Sequence, residues 1–139
     1  MRRIVLIGLI PLAIATAGSG HASSATDAAE VRAVFDRQAR LFKQGRWQAM
    51  YRLYTPRYRA RCPFARFVDD QRSVRRELGT RFSFRGVRVR VRGTRATIAY
   101  RAVSSSSGRT IAEVTFADGD IYVRLGGRWY DEYDRVSEC

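Results

Sequence analysis

The chain holds two cysteines, Cys62 and Cys139, and a single histidine, His21. A zinc site needs more ligands than these supply, so no metal is expected, and nothing in the chain points to a cofactor. In an exported protein an even pair of cysteines reads as a disulfide, here Cys62 to Cys139. Closing so long a loop stabilises the fold by roughly 4 kcal/mol in the chain-entropy account. A second group able to do chemistry is aromatic. Trp47, Tyr51, Tyr54, Tyr58, Tyr100 and Trp129 either fill a core or line a pocket for an apolar or ring-shaped ligand. Gln38 and Gln71 fall on otherwise apolar helical stripes, where a buried amide needs a partner that backbone, water or a ligand can supply.

Export is read from the first residues. Arg2 and Arg3 precede an apolar run over residues 4–17 and a small-residue stretch over 18–25, the three parts of a secretory signal. Cleavage is expected after Ala22, making residues 1–22 a signal peptide and 23–139 one domain working in the periplasm, cell envelope or medium. A spanning helix needs about 20 apolar residues, and this run is shorter and broken by Pro11. No cysteine follows it to accept a lipid, so stable membrane insertion is not expected. His21 leaves with the signal.

The chain carries 26 Lys plus Arg against 13 acids, and loss of Arg2 and Arg3 leaves a net charge of +11. Lys43 is the only lysine. Such a skew fits a compositional bias as well as it fits selection for phosphate contacts, and neither a recognised nucleic-acid module nor grouped basic residues with exposed aromatics are present. Nucleic acid is therefore not an expected partner. Residues 81–101 contain seven Arg and no acid, whereas 113–139 contain seven acids and three Arg. Adjacent strands of opposite sign would neutralise much of this. Uncovered, Arg88, Arg90 and Arg92 would instead dock on an anionic surface in a salt-dependent way.

Helical periodicity fills the first half. From a cap at Thr26 or Asp27, Val31, Val34, Phe35, Leu41 and Phe42 define a buried stripe that Gly45 ends. A second helix carries Trp47, Met50, Tyr51 and Tyr54 and stops before Pro56, and a short turn holds Tyr58. Pro63 opens a third helix with Phe64, Phe67, Val68, Val74 and Leu78 inward and Gly79 after it. The period then becomes 2: Val87, Val89 and Val91 alternate with arginines, and Ile98, Tyr100 and Ala102 share a face. Residues 104–107 form a serine loop leading to Ala112, Val114 and Phe116. Asp118-Gly119 is either a hairpin or a bulge in one long strand continuing through Ile121, Val123 and Leu125. Gly126-Gly127 turns into a last strand with Trp129, Asp131 and Tyr133.

Two stretches resemble the nuclear transport factor 2-like superfamily, as an exported bacterial member. Gly45-Arg46-Trp47-Gln48-Ala49-Met50 through Pro56-Arg57-Tyr58 is similar to the family's second-helix break, and Asp118-Gly119-Asp120 through Gly127-Arg128-Trp129-Tyr130-Asp131 to its long bent strand and return. The resemblance implies an α+β, cystatin-like cone: three N-terminal helices packed in the concave face of a curved antiparallel sheet of four to five strands. It also implies a bulge at Asp118-Gly119.

The superfamily hosts enzymes, binding modules and scaffolds, so fold does not settle function. Its enzymes place an acid or base in the cone, which here implies a phenol from Tyr54, Tyr58 or Tyr100 and a carboxylate from Asp69, Glu113 or Asp131. Asp131 with Tyr100 is the pair singled out. Asp69 and Asp70 lie off the third helix's buried face, and Glu113 alternates away from Val114. The expected function is a non-catalytic module binding a small apolar ligand or an envelope protein, with homodimerisation through the sheet possible. The alternatives are a lyase or isomerase in the same pocket and the anionic-surface role of the arginines.

Overall fold

The computed structural model describes residues 20–106 and 109–132. Four helices precede four strands: α1 (Gly20–Gln44), α2 (Trp47–Tyr51), α3 (Pro56–Arg61), α4 (Phe64–Leu78), β1 (Phe82–Arg92), β2 (Arg95–Ser106), β3 (Arg109–Leu125) and β4 (Arg128–Asp131). The strands form one open antiparallel sheet in the order β1-β2-β3-β4, and α1 lies across its inner face against β1, β2 and β4.

The helical half holds four helices where three are expected. Pro56 ends helical geometry before it, but it also fits the first position of a helix, because the amide it lacks has no intrahelical partner there. Thr55 caps the new helix by accepting from the Tyr58 amide at 3.1 Å. Tyr58 is thus a buried helical residue rather than part of a turn, and Tyr54 lies in the link between α2 and α3. Neither Thr26 nor Asp27 caps α1, because both lie inside the helix, which already includes Gly20. Asp27 is buried and uses its carboxylate on Arg124 of β3, 2.8 Å away. Pro63, expected as the first helical residue, is instead the N-cap of α4, which starts one residue later at Phe64, and Gly79 closes that helix with φ +73°.

The core has two lobes. Leu41, Phe42, Met50, Tyr54, Phe67 and Phe82 meet where the helices converge. Val31, Phe35, Ala96, Ile98, Tyr122 and Trp129 pack between α1 and the sheet. Val74 and Phe64 of the expected α4 stripe are exposed, at 45% and 37%, while Phe67 and Val68 between them are buried.

Strand β3 is continuous, and Asp118-Gly119 is a bulge within it. Ile98 pairs with Asp120 and Tyr100 with Phe116, so residues 117–119 stand opposite Ala99 alone. Two inserted residues preserve the alternation, which puts Asp120 and Tyr122, not Ile121, Val123 and Leu125, on the face shared with the buried Ala96 and Ile98. Tyr122 is fully buried and Leu125 is 44% exposed. Gly119 has φ +66°, and a Cβ there would collide with the Ile98 carbonyl oxygen. A second bulge at Gly86 bends β1.

Ser104, Ser105 and Ser106 belong to β2 instead of a loop, and Ser104 is buried, donating to the Leu78 carbonyl at 2.7 Å. The residues that turn β2 into β3, the side chains of Ala112, Glu113, Val114 and Phe116, and Tyr133 and Cys139 lie outside what is described. So do residues 1–19, on which most of the expected signal segment falls. Among the described residues no helix is long and apolar enough to cross a membrane.

Candidate functional site

A cavity of about 600 Å³, partly open to solvent, lies between α1, α4 and the inner face of the sheet. That volume is in the range of small-molecule sites. Phe35, Phe42, Phe82 and Phe84 supply an apolar wall, and Tyr54 and Tyr58, stacked at 4.6 Å, close one end with Met50. The polar groups are Gln38, Asp120, Asp131 and Tyr100, with Asp70, Gln71 and Ser73 on the α4 side. Among the described residues no arginine or lysine lines this cavity.

Asp131 is held there by its backbone. Its amide donates to Leu53 and its carbonyl accepts from Thr55, both at 2.9 Å, so β4 is tied to the α2–α3 link at Tyr54. The side chain is 4% exposed, and Oδ2 accepts from Gln38 Nε2 at 2.8 Å. Gln38 Oε1 in turn accepts from the Tyr122 hydroxyl at 2.6 Å. Asp131 Oδ1 is buried with no hydrogen-bond partner. Burial and then the nearby Asp120 charge push the Asp131 carboxyl well above the usual carboxylate range, and the Gln38 bond offsets this only in part. Burial, followed by the charge of Asp131, likewise raises the Tyr122 phenol.

A neutral Asp131 whose Oδ2 is occupied as an acceptor carries its proton on Oδ1. In that protonated form Asp131, a lining residue of the cavity, is a hydrogen-bond donor. Asp120 stands on the same inner face and accepts from the Tyr100 hydroxyl at 2.9 Å. Phe35 and Phe84 pack against the Tyr100 ring at 4.9 and 5.1 Å, fixing where that hydroxyl points. The wall thus combines an acid that burial holds protonated to higher pH than usual with a second acid whose oxygen accepts from a phenol.

Of the residues picked out in the sequence, Gln38, Tyr54, Tyr58, Gln71, Tyr100 and Asp131 come together around this cavity, and Asp70 joins them although it was expected off the buried face. Trp47, Tyr51 and Trp129 do not line it. Trp47 is half-buried, edge-on to Phe42 and beneath the Arg75 guanidinium. The Tyr51 hydroxyl reaches the carbonyls of Arg59 and Cys62, and its ring packs on Phe64 and Phe67. Trp129 is buried on the α1 side of the sheet, with Arg124 against its ring at 6.0 Å. Asp69 is exposed. Asp120 was missed: its inward direction depends on the number of residues in the bulge, which the bare Asp-Gly signal does not give.

Cys62 is wholly buried and is not a free thiol. Its expected partner, Cys139, lies outside the described residues. Among the described residues no cluster of three or more His, Cys, Asp or Glu is placed to hold a metal ion. Arg88, Arg90 and Arg92 are exposed on β1, whose only sheet neighbour is β2. They stand opposite Ala99, Thr97 and Arg95. Neutralisation by an adjacent acidic strand therefore fails for them, since the acids of β3 and β4 are two or more strands away.

What fold and site define is an α+β domain with an apolar cavity whose polar groups are acids, phenols and amides. Comparison with family models and with curated proteins finds no match for the chain.

Proposed function

We propose that this is an exported ligand-binding domain of nuclear transport factor 2-like architecture, whose cavity takes an uncharged, mainly apolar molecule carrying one hydrogen-bond-accepting oxygen. The observation that carries this reading is Asp131, a buried acid among the cavity's lining residues whose Oδ1 has no hydrogen-bond partner. An unmet buried polar group costs about 1–3 kcal/mol, and a ligand oxygen in front of Oδ1 recovers it. The aromatic walls accommodate the rest of such a molecule. A ligand carboxylate or phosphate is disfavoured, because the wall offers carboxyl groups and no cation. Helices leading into an antiparallel sheet with a bulged β3 support the family reading. The signal-like first residues support export, and the state of Cys62 supports a Cys62–Cys139 bridge.

Titration with uncharged ring ketones and with the matching hydrocarbons, followed by tyrosine and tryptophan fluorescence, tests the reading. The ketones should bind more tightly, and Asp131→Leu should erase the difference. Equal affinity for both series would remove the role given to Asp131.

One observation favours a second, catalytic reading: two carboxyl groups in unlike environments share one wall. Asp131 would donate to a carbonyl oxygen while Asp120 accepts a proton from the neighbouring carbon, the division of labour of an isomerase or lyase. Deuterium incorporation next to the carbonyl of a bound ketone, lost in Asp120→Asn, would distinguish catalysis from binding alone.

A further inference from the structure

The outer face of the sheet, turned away from α1, carries a row of exposed arginines along one edge. Arg85, Arg88, Arg90 and Arg92 are exposed along the edge strand β1, and their partners on β2 are Arg101, Ala99, Thr97 and Arg95. Arg88, Arg90 and Arg92 make no ion pair with any described residue. On this side Glu132 lies 3.4 Å from Arg95 and 3.7 Å from Arg57.

The β1–β2 and β3–β4 hairpins come to the same end of the sheet, joined by Arg124 N donating to Thr94 O at 2.8 Å. On that end Arg95 stands opposite Val123, and Leu125, 44% exposed, opposite the exposed Arg128. A row of free arginines therefore runs into a turn that presents an aliphatic side chain flanked by more arginine.

We propose that this outer face, from Arg88, Arg90 and Arg92 to the Leu125–Arg128 turn, docks the domain on an anionic lipid surface. Guanidinium groups pair with headgroup phosphates in a forked geometry, and Leu125 enters the boundary between headgroups and acyl chains. A soluble polyanion would use the arginines but gains nothing from Leu125. A second copy of the chain is disfavoured, because a two-fold interface on this face sets arginine rows against each other.

The test uses the protein as secreted by its host, mixed with phosphatidylcholine vesicles with and without phosphatidylglycerol. Binding is expected only with phosphatidylglycerol, falling steeply with salt. Each arginine near such a surface contributes roughly a five-fold factor, so Arg88→Gln/Arg90→Gln/Arg92→Gln should weaken partitioning on the order of a hundred-fold. Leu125→Ser should weaken vesicle binding while leaving binding to heparin unchanged. Circular dichroism checks that the variants fold. Three results overturn the proposal: equal binding to vesicles lacking phosphatidylglycerol, no loss in the triple variant, or heparin and vesicle binding alike in indifference to Leu125. A dimer that buries this face, seen by sedimentation and hydrogen exchange, overturns it too.

Discussion

Gln38 of α1 and Asp131 of β4, 93 residues apart in sequence, meet through a 2.8 Å hydrogen bond from Nε2 to Oδ2. The Tyr122 hydroxyl donates to the other end of the same amide at 2.6 Å. All three side chains are buried, so the phenol, amide and carboxyl form a directional chain that ties α1 to β3 and β4. Its direction leaves one uncommitted atom, Oδ1 of Asp131, a residue that lines the cavity.

The raised Asp131 carboxyl makes stability fall with pH. Unfolded, the group has the ordinary carboxyl pKa of about 4, while burial holds it protonated to higher pH in the folded chain. Between those two values unfolding releases a proton, so stability drops by up to about 1.4 kcal/mol per pH unit and stops dropping above the folded value. Asp131→Asn keeps an acceptor for Gln38 and cannot ionise. Urea denaturation from pH ~4 upward should show the drop in the parent and its absence in the variant. The same drop in both would mean that Asp131 ionises in the folded chain.

Gln38→Leu removes the partner of two buried groups, the Tyr122 hydroxyl and Asp131 Oδ2. At about 1–3 kcal/mol for each stranded group, the loss should be roughly 3 kcal/mol. Tyr122→Phe strands only Gln38 Oε1 and should cost about half as much. Because the residues share one network, the double variant should lose less than the two single losses together, by about 1 kcal/mol. Strictly additive losses in urea midpoints would show that the chain of bonds does not act as a unit.

Gly119 and Gly86 both have positive φ at a bulge, and they separate backbone strain from collision. A Cβ at Gly86 meets nothing, so Gly86→Ala should cost only the left-handed strain of about 1–2 kcal/mol. At Gly119 the Cβ would strike the backbone of Ile98. Gly119→Ala must therefore open the β2–β3 ladder as well, and is expected to lose at least 3 kcal/mol. It should also shift the Asp120 side chain from its contact with Tyr100, visible as a change in the near-ultraviolet tyrosine signal. Equal costs at the two glycines would argue against the bulge geometry.

How legible each part was depends on whether its signal is local. The stripe of Val31, Phe35, Leu41 and Phe42 and the alternation of Val87, Val89 and Val91 are local periodicities, and the helix and strand they mark form there, although α1 extends past the expected cap at Thr26 or Asp27. The cut between α2 and α3 was hidden because proline reads equally as the end of one helix and the beginning of the next. The inward faces of Asp120 and Tyr122 were hidden because strand parity after a bulge depends on whether one residue is inserted or two. Gln38 was noticeable as an amide on an apolar stripe, but its partners come from β3 and β4, and no local pattern names a partner that far along the chain. Val74 and Leu125 mark the opposite error, in which apolar residues that fit a stripe remain exposed.

Cys62 is wholly buried at the end of α3 and is not free, and the sequence offers only Cys139 as an internal partner. The secreted protein should begin at Ser23 and weigh two hydrogens less than its reduced sequence. Linking residues so far apart limits the unfolded chain much more than the folded one, so Cys62→Ser/Cys139→Ser should lose about 4 kcal/mol. Reducing the parent should bring its urea midpoint down to that of the variant, since both then lack the same constraint. If native, secreted protein instead reacts with a thiol reagent at both cysteines, the loop is open. The buried position of Cys62 would then have to be explained by packing against Tyr58 and Phe67 alone.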